Sequence, residues 1–293
     1  MSAHDVPPIY GHTRVAAVIG WPIEHSVSPP MHNAAFRALG LDWCYVALAV
    51  PPERLAGAIA GARALGLRGL NVTVPHKQAL LPLMDELTPA ARAIGAANTV
   101  IMADGRLRGH NTDAAGFIRA LREAGVAPEG RRALVLGAGG AARAVVYALA
   151  LAGARITLLN RTPERAAALA AEFDALNPAA QVQAGALDAA TLARLAPGAQ
   201  LVVNTTPLGM WPHGEGCPWP DEVPYPPGAF CYDLIYNPRE TALMRLARAA
   251  GAGAADGLGM LVHQGAEAFE CWTGVAAPVE VMYRACAATL AGG

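Results

Sequence analysis

The chain has 293 residues, 54% of them hydrophobic and 15% charged, with a formal net charge of −1. That length suits two domains, and that composition supports a large core and excludes disorder. Without a basic excess, nucleic acid is excluded as a general partner. The cysteines, Cys44, Cys217, Cys231, Cys271 and Cys286, form no CxxC pair and are odd in number, so they read as reduced thiols, and no metal is expected. Residues 1–14 lack an apolar core of the secretory type, and the apolar run 144–154 is too short to cross a bilayer. A cytoplasmic location and no membrane partner are therefore expected; monomer and homodimer are equally open.

In chain order, a buried strand is expected at Arg14–Gly20 and a helix over 28–39 behind Pro29 and Pro30. A second strand follows over 43–50, an amphipathic helix over 52–65, and a third strand over 69–74, running into Pro75. Residues 87–96 read as helical, 99–103 and 107–110 as a hairpin across Asp104-Gly105, and 114–124 as a helix. After a polar break at 127–132 a new unit begins, with strands over 133–136, 155–159, 200–204 and 230–234 and helices over 140–151, 164–173, 240–250 and 261–272. Strands alternating with helices imply α/β architecture.

The second unit opens with a strand, a glycine turn and a helix start, Ala133-Leu-Val-Leu-Gly137-Ala138-Gly139-Gly140-Ala141-Ala142. Gly137 permits a tight turn, Gly139 lets the backbone approach a pyrophosphate, and the small Ala142 allows close helix–strand packing. The helix N-terminus presents free N–H groups to phosphate. Where an NAD enzyme places an acidic residue to hold the ribose 2′-hydroxyl, this chain has Asn160, Arg161 and Thr162, with Arg165 beyond. A carboxylate repels a 2′-phosphate, whereas arginine grips it bidentately, so NADP(H) is the expected cofactor. The same arginines also suit solvated positions at a helix start.

The chain has one lysine, Lys77, so nearly every cation is arginine. Either one lysine survived drift, or position 77 needs an amine that can release a proton, as guanidinium cannot. Lys77 closes one of three polar clusters at the ends of apolar strands: Ser26-Val27-Ser28, then Asn71 to Lys77, then Asn98-Thr99 with Asn111-Thr112-Asp113. Ligands of open α/β sheets bind outside the carboxyl ends of strands, and hydroxyls, carboxamides and a carboxylate are what a polyol recognises. Ser28 and the Asn111–Asp113 stretch also suit helix capping.

Taken together these motifs resemble the shikimate dehydrogenase family from about residue 14 to 285: SxS at Ser26 and Ser28, NVTVPHK at 71–77, GAANT at 95–99, NTD at 111–113, GAGGA at 137–141, NRTxxR at 160–165 and DGLGMLVHQ at 256–264. The resemblance implies an N-terminal α/β substrate domain (1–112 with 264–293) and a C-terminal Rossmann-type parallel-sheet domain (113–263). A cleft lies between them in the family, and the C-terminal helix packs back on the first domain. It implies NADPH-dependent reduction of 3-dehydroshikimate to shikimate, with Lys77 and Asp113 as the catalytic pair. It assigns Ser26, Ser28, Thr73, Asn98, Tyr236 and Gln264 to the substrate's carboxylate and hydroxyls, and Leu234, Gly257 and Met260 to the cofactor. A quinate/shikimate dehydrogenase would use the same fold and pair. A catalytically silent dinucleotide sensor is the alternative of another class, and the presence of both Lys77 and Asp113 argues against it.

Overall fold

The computed structural model describes residues 8–176 and 182–292. They divide into two compact units, residues 8–112 with 265–292, and residues 113–176 with 182–264. The division falls after Gln264, one residue later than expected.

The first unit is built on β1 (Arg14–Gly20), β2 (Trp43–Ala49), β3 (Gly69–Val72), β4 (Glu86–Leu87), β5 (Thr99–Ala103) and β6 (Arg106–His110), in the order β2-β1-β3-β5-β6-β4. The first three strands run parallel, and the β5–β6 hairpin runs antiparallel to β3. The inner strands β1 and β3 are the most buried because helices cover both faces of a parallel sheet, which is why they read as continuous apolar runs. On one face Ala17, Ile19, Leu70, Val72 and Val100 pack with Leu55 and Ile59 of α2 (Leu55–Ala64). On α1 (Ser28–Ala38) lies the last helix, α10 (Val279–Gly292), returning to this unit as the family resemblance implied.

The second unit carries six parallel strands, β7 (Arg132–Leu136), β8 (Arg155–Asn160), β9 (Gln183–Ala186), β10 (Leu201–Asn204), β11 (Phe230–Asp233) and β12 (Ala254–Ala255), in the order β12-β11-β10-β7-β8-β9. Chain order thus runs outward from β7 in one direction and then outward from β10 in the other. The switch point between β7 and β10 is where doubly wound sheets bind ligands. The helices are α4 (Asp113–Glu123), α5 (Gly140–Leu151), α6 (Pro163–Leu176), α7 (Ala189–Leu195) and α8 (Ala242–Ala249); α9 (Leu258–Thr273) runs through the boundary between the units.

Several expectations are corrected. Residues 87–96 are not one helix: β4 ends at Leu87, and α3 (Pro89–Ile94) starts behind Thr88, whose hydroxyl accepts the Ala91 N–H at 3.2 Å. The 52–65 helix is a 3₁₀ turn (Pro52–Arg54) followed by α2. β3 ends at Val72, two residues before the expected bound, and the chain turns at Val74-Pro75. α8 starts only at Ala242, because Thr241 caps it by accepting the Met244 N–H at 3.2 Å. Beyond these, β9, β12 and α7 are elements additional to those expected. The proline-rich stretch 211–227 is anchored in the core by Trp219, Val223 and Tyr225, all at most 3% exposed, and the Trp219 indole N–H donates to the Val223 carbonyl at 2.8 Å.

Candidate active site

The first unit gathers its polar clusters at one edge of its sheet. β1 and β3 are parallel, so Gly20 and Val72 end at the same side; β5 is antiparallel to β3, so Asn98 and Thr99 begin there, and β6 brings His110 to Thr112 back to it. Backbone hydrogen bonds join the segments. The Thr73 N–H donates to the Ile19 carbonyl at 2.9 Å, the Trp21 N–H to the Val74 carbonyl at 3.0 Å, and the Ala97 N–H to the Lys77 carbonyl at 2.9 Å. Thr73, Lys77 and the Asn98 strand start are therefore neighbours, with Thr73 and Lys77 half-buried and Asn98 buried.

Ser28 is the first residue of α1 rather than its cap. The cap position is Val27, and the Ser26 hydroxyl accepts the Ser28 N–H at 3.3 Å. Asn98 is held on both sides of its carboxamide: Oδ1 accepts the Thr112 N–H at 2.8 Å, and Nδ2 donates to the Thr112 hydroxyl at 2.9 Å. Beside it, Asn71 donates from Nδ2 to Thr99 Oγ1 at 3.2 Å and accepts the Tyr45 hydroxyl at 2.6 Å. Tyr45 was not singled out from the sequence, since a tyrosine in a strand reads as core; burial pushes its hydroxyl's ionisation well up, so it stays a donor.

In the second unit the glycine turn follows β7 at the switch point. Gly137 has φ +106°, a region that favours glycine, and a Cβ there would stand 2.7 Å from Thr205 Oγ1. Thr205 in turn donates its hydroxyl to the Leu136 carbonyl at 2.7 Å, so the loop after β10 lies against the turn. Space beside Gly139 is open, and α5 has neither a side-chain cap nor an acidic residue in its first turn. Ala138, Gly140 and Ala141 are partly accessible around it. Arg143, buried in the next turn, pairs with Glu172 of α6.

Asn160 ends β8 and donates from Nδ2 to the Thr162 carbonyl at 2.9 Å, while Arg161, Thr162 and Arg165 are at least partly exposed. Gly257 is required by close approach: a Cβ there would lie 1.9 Å from the Leu234 carbonyl oxygen. A Cβ on Gly116 of α4 would stand 2.7 Å from the backbone nitrogen of Gln264 and 3.0 Å from the Met260 carbonyl oxygen, so α4 and α9 touch at the turn bearing both residues. His263 locks the same contact, its Nε2 lying 2.6 Å from Glu123 Oε2. Gln264 is buried and donates from Nε2 to the Leu261 carbonyl at 2.7 Å; Asp113, at the start of α4, is buried, and Tyr236 is half-buried. Among the described residues no group of three His, Cys, Asp or Glu could hold a metal, and no helix is long and apolar enough to cross a membrane.

A parallel sheet in this strand order, with a glycine turn at its switch point and an anion-ready helix behind it, defines a dinucleotide-binding α/β protein of the Rossmann class. Three family patterns match this chain: the shikimate dehydrogenase substrate binding domain over residues 18–100, shikimate/quinate 5-dehydrogenase over 120–195, and the shikimate 5′-dehydrogenase C-terminal domain over 257–286. The chain belongs to the shikimate dehydrogenase family. It is 50% identical over 273 residues to the shikimate dehydrogenase (NADP(+)) of Moorella thermoacetica, covering 93% of this chain and 92% of that one. The crystal structure of shikimate 5-dehydrogenase from Thermus thermophilus in complex with NADP(H) and shikimate superposes with a TM-score of 0.84 at 41% identity, covering 94% and 99% of the two chains. Quinate dehydrogenase from Corynebacterium glutamicum in complex with NAD gives a TM-score of 0.83 at 32% identity, covering 94% and 99%.

Proposed function

We propose that this chain is an NADP-dependent oxidoreductase that interconverts 3-dehydroshikimate and shikimate. The observation that carries the reading is its near-full-length likeness, at 50% identity, to a shikimate dehydrogenase (NADP(+)). The chain's own residues fit NADP(H): an open turn at Gly139, an uncapped α5, and arginines instead of a carboxylate after β8. Gly137 to Ala141 would hold the pyrophosphate; Asn160, Arg161, Thr162 and Arg165 would hold the 2′-phosphate; Leu234, Gly257 and Met260 would line the nicotinamide end.

When bound, NADPH supplies the hydride that reduces the ring ketone. The remaining chemistry belongs to side chains. Lys77 gives a proton to the oxygen on which negative charge builds, a contribution of roughly 10²–10⁴-fold for general acid catalysis. Its ammonium can release that proton, and its amine can recover one in the reverse direction; a guanidinium does neither. Asp113 is assigned as the partner carboxylate that orients the ammonium and accepts from a substrate hydroxyl. Ser26, Ser28, Thr73, Asn98, Tyr236 and Gln264 are assigned to the carboxylate and hydroxyls of the ring. With this activity the chain serves the shikimate pathway of aromatic amino-acid biosynthesis in the cytoplasm.

The test is shikimate-dependent reduction of NADP⁺, with quinate and NAD⁺ run in parallel. Shikimate with NADP⁺ is expected to give the highest kcat/KM. Equal kinetics with NAD⁺, or a preference for quinate, overturns the reading.

A further inference from the structure

A buried polar cluster in the second unit is centred on Asp233. Asp233 is the last residue of β11 and fully buried. Its carboxylate receives three donors: Asn204 Nδ2 at 3.0 Å and the Ile235 N–H at 3.1 Å on Oδ1, and the Thr241 hydroxyl at 2.8 Å on Oδ2. Asn204, also fully buried, ends the adjoining β10, and its Oδ1 accepts the Thr206 N–H at 2.9 Å and the Thr206 hydroxyl at 2.7 Å. Thr205, between them, is the residue lying against Gly137. One carboxylate therefore ties the loop beside the glycine turn to the stretch carrying Leu234 and Tyr236, and to the capped start of α8.

We infer that Asp233 is a positioning residue for the ligand contacts of this unit: through Asn204 it sets the loop that abuts Gly137, and through the Ile235 N–H it sets Leu234 and Tyr236. Fold stability alone does not account for a carboxylate here, because burying a charge is costly and an apolar residue of similar volume is often at least as stabilising. What the carboxylate adds is direction, since it accepts at both oxygens and so fixes donors from three segments at once. Burial pushes its ionisation up to about 6, against the pull of the Ile235 N–H, Thr241 and Asn204, while the charge of Asp256 pushes it further up.

The inference rests on reading this unit as the NADP-binding half of the enzyme, and the test separates the two. Asp233→Asn keeps the volume but presents one acceptor oxygen and an NH₂ group, so it cannot receive donors at both ends. Direct titration gives the Kd for NADP⁺, and steady-state assays give kcat and KM for shikimate. Asp233→Asn is expected to weaken NADP⁺ binding and lower kcat/KM by about tenfold or more, the scale of a displaced contact. Thr241→Ser, which keeps the hydroxyl, should stay within about twofold of the unmodified protein, and the isosteric Thr241→Val should follow Asp233→Asn. If Asp233→Asn does not fold, the Thr241 pair decides the matter. Lower melting temperatures with unchanged Kd and kcat/KM make the cluster merely structural and overturn the inference. Failure of the unmodified protein to bind NADP⁺ overturns the functional reading instead.

Discussion

His32 makes a quantitative demand on how the first unit responds to acid. It lies in α1, fully buried, stacked on Tyr45 at 4.3 Å between centroids, with Trp272 at 5.5 Å and Phe36 and Phe269 at 6.3 and 6.4 Å. Neither ring nitrogen has a hydrogen-bond partner among the described residues. Burial lowers its pKa from 6.5 to about 3. The unfolded chain therefore takes up a proton near pH 6.5 that the folded chain refuses until about pH 3, and stability falls as pH drops through that window. Each pH unit costs a factor of about ten in the folding equilibrium, so moving from pH 7 to pH 5 removes about 2 kcal/mol. Urea unfolding followed by tryptophan fluorescence at both pH values, on the unmodified protein and on His32→Phe, isolates the effect, because every other acid-sensitive group contributes equally to both. The variant's stability difference between pH 7 and pH 5 should be smaller by about 2 kcal/mol. An identical difference in the two proteins would refute the argument, whatever the absolute stabilities.

Asp233 acts with the opposite sign. Its raised ionisation gives stability that is fully present below 3.8 and lost as pH rises through about 6, so the acid loss of Asp233→Asn between pH 6 and 4 should be steeper than in the unmodified protein. Lys77→Arg should lose nearly as much kcat as Lys77→Ala, with KM little changed; near-normal turnover in the arginine variant rules out a proton-shuttle role. Arg161→Ala should remove about 1.5–3 kcal/mol of charge-assisted bonding to the 2′-phosphate, seen as a KM rise of roughly tenfold to a hundredfold for NADP⁺ and not for NAD⁺. Gly257→Ala must push back the Leu234 carbonyl, since its new methyl would sit 1.9 Å from that oxygen. A melting-temperature drop worth about 1–3 kcal/mol, or more, should accompany weaker NADP⁺ binding; an unshifted melting curve contradicts the packing.

The glycine turn and the Asn71–Lys77 cluster stand out in the sequence because each follows an apolar run, and a strand end is recognisable without knowing its neighbours. The residues that escaped need the third dimension. His32 falls on the inner face of α1, and only the packing of Tyr45, Phe269 and Trp272 around it shows that it is caged. β9 is a half-exposed edge strand, QAGA, with no β-branched or aromatic residue to mark it. α7 did carry a signal: the Asp188 carboxylate accepts the Thr191 N–H at 2.7 Å, and an aspartate before an alanine-rich run is a capping pattern. Gly116 looks like an ordinary helix glycine until the α9 backbone that presses on it is known.

The second sheet shows where a buried parallel strand carries polar side chains. Helices cover both faces of a parallel sheet, so Leu201, Val202 and Val203 of β10, and Ala133 to Leu136 of β7, must be apolar. The last position of such a strand, where the ladder stops and loop N–H groups become available, is where a polar side chain is most readily satisfied. Asn160, Asn204 and Asp233 all occupy that position. Only Asn160 stands out in the sequence, because arginines that would answer a phosphate follow it. Asn204 and Asp233 answer each other instead, and a pairing across two strands 29 residues apart is invisible until the strands are known to be neighbours. In this sheet the polar residues that close the apolar strands β10 and β11 hold each other and the loops that follow them.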